Sequence, residues 1–381
     1  MPPLTLSFDP RCDDPSRAEI LFRLGQKTER RAFLQSNGPG LRRSGNALLC
    51  LGLAPAMELG TDLIIEGAVS RELRDNADRI QDLLCDWYSD FHRIAIHADR
   101  AEDQPTGSQS TGLFYSGGID SSFSLHELQN EIASIITVIG ADIDLSEQDR
   151  AAALRQAASS VSAHYGLQQI LITTDIRKVT DRMVGWVEYH GAFLAAVGHL
   201  LADELDTVFI ASSGSEMAID IPWGSNPILD PLYGTRGMKV VHHTLADRFT
   251  KLRDIIDQPA LMEQLRVCLK ADPNCCNCRK CHFVMHSLAV LDAFDKAPTF
   301  IRRPVDDIPL EVIDDDNAHL FALRDEARQH DPNSATARNV DTALRRFDRN
   351  NKLTQWLPLD DWRRRYKRWK RKMRYRRAAG K

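Results

Sequence analysis

Apolar and polar positions along this chain of 381 residues alternate between short hydrophobic runs and helical patterns. From residue 113 the order is strict. LFYS (113–116) predicts a strand, SSFSLHELQNEI (121–132) a helix, SIITVIGAD (134–142) a strand and EQDRAAALRQAASSVSAHYG (147–166) a helix. QQILITTD (168–175) then predicts a strand, WVEYHGAFLAAVGHLLADEL (186–205) a helix and TVFIASS (207–213) a strand. Strands separated by helices of ten to twenty residues imply an α/β fold with a doubly wound parallel sheet. Ligands of such sheets bind beyond the carboxyl ends of the strands. Before this region, the runs LTLSF, NALLCLGL, DLIIEG and RIAIHA, with the helical pattern RELRDNADRIQDLLCDWY, suggest a small mixed α/β unit over 1–105. ADRAEDQPTGSQSTG (98–112) reads as a linker. The expected division is therefore an N-terminal α/β unit (1–105), a central domain (106–300) and a C-terminal extension (301–381), in which the pattern weakens after Pro298.

The first strand of the strict series runs straight into YSGGIDSS (115–122), and a helix succeeds it. Paired glycines let the backbone turn sharply and approach a ligand closely. Backbone N–H groups at the start of a helix favour an anion, and the hydroxyls of Ser116, Ser121 and Ser122 can add donors. Phosphate suits such a turn. Asp120 repels phosphate unless Mg²⁺ lies between them, oxygen being the ligand magnesium prefers. The plainer alternative is an ordinary turn in which the serines and Asp120 cap the helix. Neither GxxxxGK[ST] nor GxGxxG occurs.

Eight cysteines are present, five of them between Cys268 and Cys281. Cys275, Cys278 and Cys281 stand at C-x2-C intervals, and with Cys268 they supply four thiolates, a closed shell for structural Zn²⁺. Cys276 can substitute for Cys275 but breaks the even spacing. An iron–sulfur cluster and a redox C-x-x-C pair are the rival uses.

SGGIDSS resembles the SGGxDS signature of the PP-loop ATP pyrophosphatases, which have the adenine nucleotide alpha-hydrolase-like fold, and Ser116, Gly117, Gly118, Asp120 and Ser121 match every fixed position. The resemblance implies that Ser116, Gly117, Gly118, Asp120, Ser121 and Ser122 bind ATP with Mg²⁺, that Ser116 and Asp120 act in catalysis, and that backbone near Ile139 to Ala141 contacts adenine. It also implies cleavage of ATP between its α- and β-phosphates, with adenylation of a carboxylate, amide or carbonyl oxygen. Combined with a downstream C…CxxCxxC, the loop is similar to the 7-cyano-7-deazaguanine synthase (QueC) group over about residues 111–290, with Cys268, Cys275, Cys278 and Cys281 on Zn²⁺. That likeness implies a carbon–nitrogen ligase acting on a small carboxylate-bearing substrate or modified-base precursor. A PP-loop tRNA thiolase and a non-enzymatic ATP-binding component of a defence assembly are the alternatives.

ASSGSEMAIDIPWGSNPILDPLYGTRGMKVVHH (211–243) is too polar and turn-rich for a core, and long loops of this kind gather at strand ends. Ser213, Ser215, Asp230 and Arg236 are candidates for binding substrate, and His242 or His243 for moving a proton. A surface loop with satisfied turns is the alternative. His190 suits a cap or core role.

Charge changes the picture at the C-terminus. The net charge is −4, yet residues 361–381 hold twelve Lys or Arg and one acidic residue, so a strongly basic tail extends from an acidic body. Trp362, Tyr366, Trp369 and Met373 recur at i, i+4, i+7 and i+11, one face of a basic amphipathic helix. Such a helix suits nucleic acid, an anionic surface or an acidic protein partner. A homodimer is a further expectation. No signal peptide or membrane-spanning run is evident, so the cytoplasm is the expected compartment.

Overall fold

A computed structural model describes residues 2–25, 28–101, 110–271, 273–312 and 316–356, together with Tyr366, Trp369 and Met373. The N-terminal part contains β1 (Leu4–Phe8), β2 (Arg17–Leu24), β3 (Thr28–Ser36), α1 (Gly45–Leu59), β4 (Leu63–Ser70), α2 (Arg71–Trp87) and β5 (Ile96–Ala101). The central part alternates as its pattern predicts: β6 (Thr111–Phe114), α3 (Ile119–Leu128), β7 (Ser134–Ile139), α4 (Gln148–Tyr165), β8 (Gln168–Thr174), α5 (Arg177–Thr180), α6 (Trp186–Leu200) and β9 (Thr207–Ala211). β10 (Lys239–His243), α7 (Arg248–Ile255), α8 (Pro259–Met262), α9 (Arg279–Val290), α10 (Ala318–His330) and α11 (Ala335–Trp356) complete the described chain.

All ten strands form one sheet, in the order β10-β9-β6-β7-β8-β3-β2-β1-β4-β5. The five from β10 to β8 are parallel. β8 meets β3 antiparallel through Leu34↔Thr174, Gln35↔Thr173 and Ser36↔Ile172, and β3, β2 and β1 continue as an antiparallel meander. β4 and β5 close that end in parallel with β1. The fold is thus α/β with a mostly parallel sheet.

Alternation along each strand explains the two cores. Phe114 and Ile136 point into one hydrophobic cluster with residues of α1 and α6, while Leu113 and Ile135 point into another with residues of α3, α7 and α9. Both faces of the parallel half are covered, so β7 (SIITVI) is buried almost throughout and reads as a continuous apolar run. The meander is covered mainly on one side: Ala18, Ile20, Phe22 and Leu24 of β2 join the first cluster, and Arg17, Glu19, the buried Leu21 and Arg23 alternate with them on the opposite face. The run NALLCLGL belongs to α1, in which every residue except Asn46 is buried. No helix among the described residues is long and apolar enough to cross a membrane.

Chain order places the switch of direction beside β6. From β6 the chain moves through β7 to β8, then returns over the other face with α6 to place β9 on the opposite side of β6. The loops after β6, β9 and β10 therefore gather at one switch point, the usual ligand crevice of such sheets. Of the predicted tail helix, Tyr366, Trp369 and Met373 are described and helical, while Trp362 lies outside the described residues. The Tyr366 and Trp369 rings stack at 5.9 Å, both largely exposed.

Candidate functional site

The SGGIDSS turn links β6 to α3. Gly117 has φ 75°, a left-handed conformation that favours glycine, and a side chain there would press on Arg266 at 3.0 Å. The Ser116 N–H donates to Ser121 Oγ at 3.2 Å, and that hydroxyl donates to the Gly118 carbonyl at 3.2 Å. Ser121 therefore braces the turn from inside, and Ser122 is fully buried beneath it. Of the three serines expected to face a ligand, only Ser116 lines the adjoining cavity, with Gly118 and Asp120. No side chain caps α3, a feature it shares with α4, α6, α8, α9 and α10. The first-turn N–H groups of α3 thus remain available to an anion.

Four basic side chains line this cavity, Arg150, Arg248, Arg266 and Lys280, against two acidic ones, Asp120 and Asp142. Asp120 Oδ1 accepts from Lys251 Nζ at 3.1 Å and Oδ2 from Arg248 Nε at 3.4 Å. Burial alone would raise the Asp120 pKa, but Lys251 and Arg248 hold it below its ordinary value. Lys251 is fully buried and bridges Asp120 to the Ser212 carbonyl at 2.7 Å. Lys280 makes no ion pair among the described residues, and burial together with the nearby Arg248 pushes its pKa down. An anion entering here would relieve both effects. Val138, Ile143, Leu154 and Phe283 supply an apolar wall. The cavity measures about 180 Å³, below the ~300–1,000 Å³ usual for a whole ligand, so a nucleotide held by its phosphates would extend beyond it.

At the end of β7, Gly140 has φ 102°, and a Cβ there would lie 1.7 Å from the Thr174 carbonyl oxygen. No other residue lets the β7 and β8 chains approach so closely where the 140–142 segment turns toward the cavity.

The four predicted cysteines converge. Their sulfurs all lie within 4.8 Å of one another, with Cys278 and Cys281 3.5 Å apart, Cys275 and Cys281 3.9 Å, and Cys268 and Cys278 4.0 Å. Bonds of about 2.3 Å to a tetrahedral metal set sulfurs about 3.8 Å apart, so the cluster fits a metal ion. Burial would raise the Cys268 thiol, yet backbone N–H groups, including that of Lys270 at 3.2 Å, hold it down to about 6. Burial and the neighbouring sulfurs push Cys281 upward. Four sulfurs this close resist being thiolates together unless a cation joins them. Cys276 has a left-handed φ of 51° and its buried sulfur accepts from the Ile301 N–H at 3.4 Å, apart from the cluster. The even spacing thus selects Cys275. Cys278 immediately precedes α9 and Cys281 lies in its first turn, so the cluster fastens the segment carrying Arg266 and Leu269 to the helix carrying Lys280 and Phe283, all of which line the cationic cavity.

Arg248 also lines a second cavity of about 700 Å³, bounded by Trp87, Trp186, Trp223 and the 212–215 turn. Ser213 and Ser215 both line it, and the Ser215 hydroxyl donates to Asp316 at 2.7 Å. The buried Asp230 carboxylate accepts from Ser225 Oγ at 2.6 Å and pairs with His242 Nδ1 at 2.7 Å. His243 points to the other face, where its Nδ1 lies 2.9 Å from Ser124 Oγ. Arg236 is exposed and lines neither cavity; its backbone N–H donates to Glu72 at 2.8 Å. His190 is packed between Trp186 and Trp223, a structural position.

Sequence reasoning did not single out Arg150, Arg248, Lys251, Arg266, Lys280 or Asp316. A signal existed on α7, where Arg248, Lys251 and Ile255 recur at i, i+3 and i+7 and put two cations on a face completed by an apolar residue. Comparison with protein-family models, curated proteins and solved structures finds no match to this chain.

Proposed function

We propose that the protein is an ATP-dependent ligase of the PP-loop, QueC-like type, which adenylates a carboxylate and passes the acyl group to nitrogen. The observation carrying this reading is the uncapped N-terminus of α3, preceded by the SGG turn and faced by Arg248, Arg266 and Lys280 at the sheet's switch point. Ser116 and the α3 N–H groups hold the phosphates. Arg266 and Lys280 balance charge as pyrophosphate departs. Asp120 and Asp142 are the carboxylates of this wall open to a Mg²⁺ arriving with ATP, and that ion would offset phosphate charge. With Asp120 holding such an ion, Arg248, which lines the same cavity, would turn to the phosphate. Zn²⁺ on Cys268, Cys275, Cys278 and Cys281 is structural, since four thiolates leave no open position.

Adenylation gives a carboxylate a good leaving group, which hydroxide is not. The larger cavity, which shares Arg248 with the first, holds the acid; its tryptophans suit a planar ring. The test is incubation with α-labelled ATP, Mg²⁺, carboxylated deazaguanine and ammonium. AMP and pyrophosphate appear only when the acid is present, and Ser116→Ala lowers the rate at least about tenfold, the effect of a lost charge-stabilising donor. Release of ADP, or AMP formation indifferent to the acid, would overturn the reading.

A further inference from the structure

Two features of the larger cavity are not needed for adenylation: the His242–Asp230 pair and the hydroxyl that supports it. Their side chains are 4% and 0% exposed, and Nδ1 of His242 lies 2.7 Å from Asp230 Oδ2. That oxygen also accepts from Ser225 Oγ at 2.6 Å, which fixes the carboxylate. With Nδ1 committed as the donor to Asp230, the ring carries its lone pair on Nε2. This is the arrangement of a histidine oriented by a carboxylate to take a proton. His242 lines the larger cavity, and β10 places it beside β9, whose next residue, Ser212, is bonded to the Lys251 that holds Asp120. His242 and the phosphate turn therefore stand at the ends of β10 and β6, the two strands that flank β9.

We infer that His242 is the general base of the second half-reaction, with Asp230 as its positioning residue; the inference rests on the ligase reading above. The nitrogen of an amine or of ammonia bonds to the acyl carbon of the adenylate. The bond from that carbon to the AMP oxygen breaks, and its electron pair leaves with AMP. The proton lost by nitrogen goes to His242 Nε2, and the imidazolium is stabilised by Asp230. The products are an amide, AMP and a proton later released to water. His243, on the opposite face against Ser124, takes no part.

The experiment separates the half-reactions by choice of nucleophile. Hydroxylamine is unprotonated at neutral pH and attacks an acyl adenylate without a base, whereas ammonium must first lose a proton. Wild-type protein, supplied with ATP, Mg²⁺ and carboxylated deazaguanine, is expected to form amide with ammonium and hydroxamate with hydroxylamine. In His242→Gln, amide formation falls about 100-fold or more while hydroxamate formation stays within about threefold. Asp230→Asn shows the same pattern more mildly, and the melting temperature of each variant confirms that it folds. Equal retention of both products in His242→Gln overturns the assignment; so does equal loss of both in a folded variant, which would place His242 in adenylation. A wild-type protein that makes neither AMP nor hydroxamate overturns the ligase reading itself, an outcome distinct from either of those.

Discussion

A buried lysine is costly unless its charge is matched, and Lys251 is matched by Asp120 on one side and a carbonyl on the other. The pair holds α7 to the start of α3, so the turn before α3 is fastened by charge as well as by apolar contact. The cysteines allow a sharper test. Cys275→Ser removes one corner of the sulfur tetrahedron, whereas Cys276→Ser alters a buried neighbour that lies outside it. We expect purified wild-type protein and Cys276→Ser to carry about one zinc per chain, and Cys275→Ser to lose most of its metal together with tight nucleotide binding, because the Arg266 segment is no longer fastened to α9. Elemental analysis and ATP titration decide it; equal metal in both variants would contradict the assignment. The cysteine set and the glycine turn were legible because short-range spacing carries their geometry. Arg266, Lys280 and Asp316 were not, since each reaches its cavity through a long-range contact that spacing does not encode.

Elements were legible where one periodicity dominates. The central strands and helices keep to their patterns closely, because burial of both sheet faces leaves uninterrupted apolar runs. α1 reads as an apolar run for the same reason, and with all faces covered it has no polar stripe to display the helical period. The charged segment after Pro298 conceals α10 and α11, whose inward face is partly built from Ala327, Ala337 and Ala343, too small to stand out from the charged background. α6 supports a pH prediction. His199, fully buried, bonds through Nε2 to the Tyr233 carbonyl at 2.8 Å, and burial lowers its pKa from 6.5 to about 4. His319 on α10 is lowered to about 4, again mainly by burial. A depressed folded pKa means that the unfolded chain binds the proton first, so stability is full above pH 6.5 and is lost as pH falls toward 4. For His199 the loss is about 3 kcal/mol over that window. Urea unfolding at pH 7 and pH 4.5 should show the decline, with a smaller decline in His199→Gln; equal stability at both values would refute it.

At the scale of the whole molecule, the first core unites side chains of β1 to β4 with those of β6 to β10. α1 packs along α6, and β3 completes the edge of β8. A fragment comprising residues 110–381 would lose α1 and the strand beside β8, exposing Phe193, Ala196 and Leu200 of α6. We expect that fragment to aggregate or to lack cooperative thermal unfolding, as monitored by near-ultraviolet circular dichroism; a sharp, reversible transition would show that this portion folds alone. The β3–β8 seam also has a consequence in time. Ser36 pairs with Ile172, and the ribosome adds roughly 5–20 residues per second, so β3 emerges about ten seconds before its partner exists. Throughout that interval the nascent meander presents an open edge to every other chain in the cell, and the glutamate and arginines at Glu29, Arg30 and Arg31 are the charges that discourage a stranger from pairing with it first.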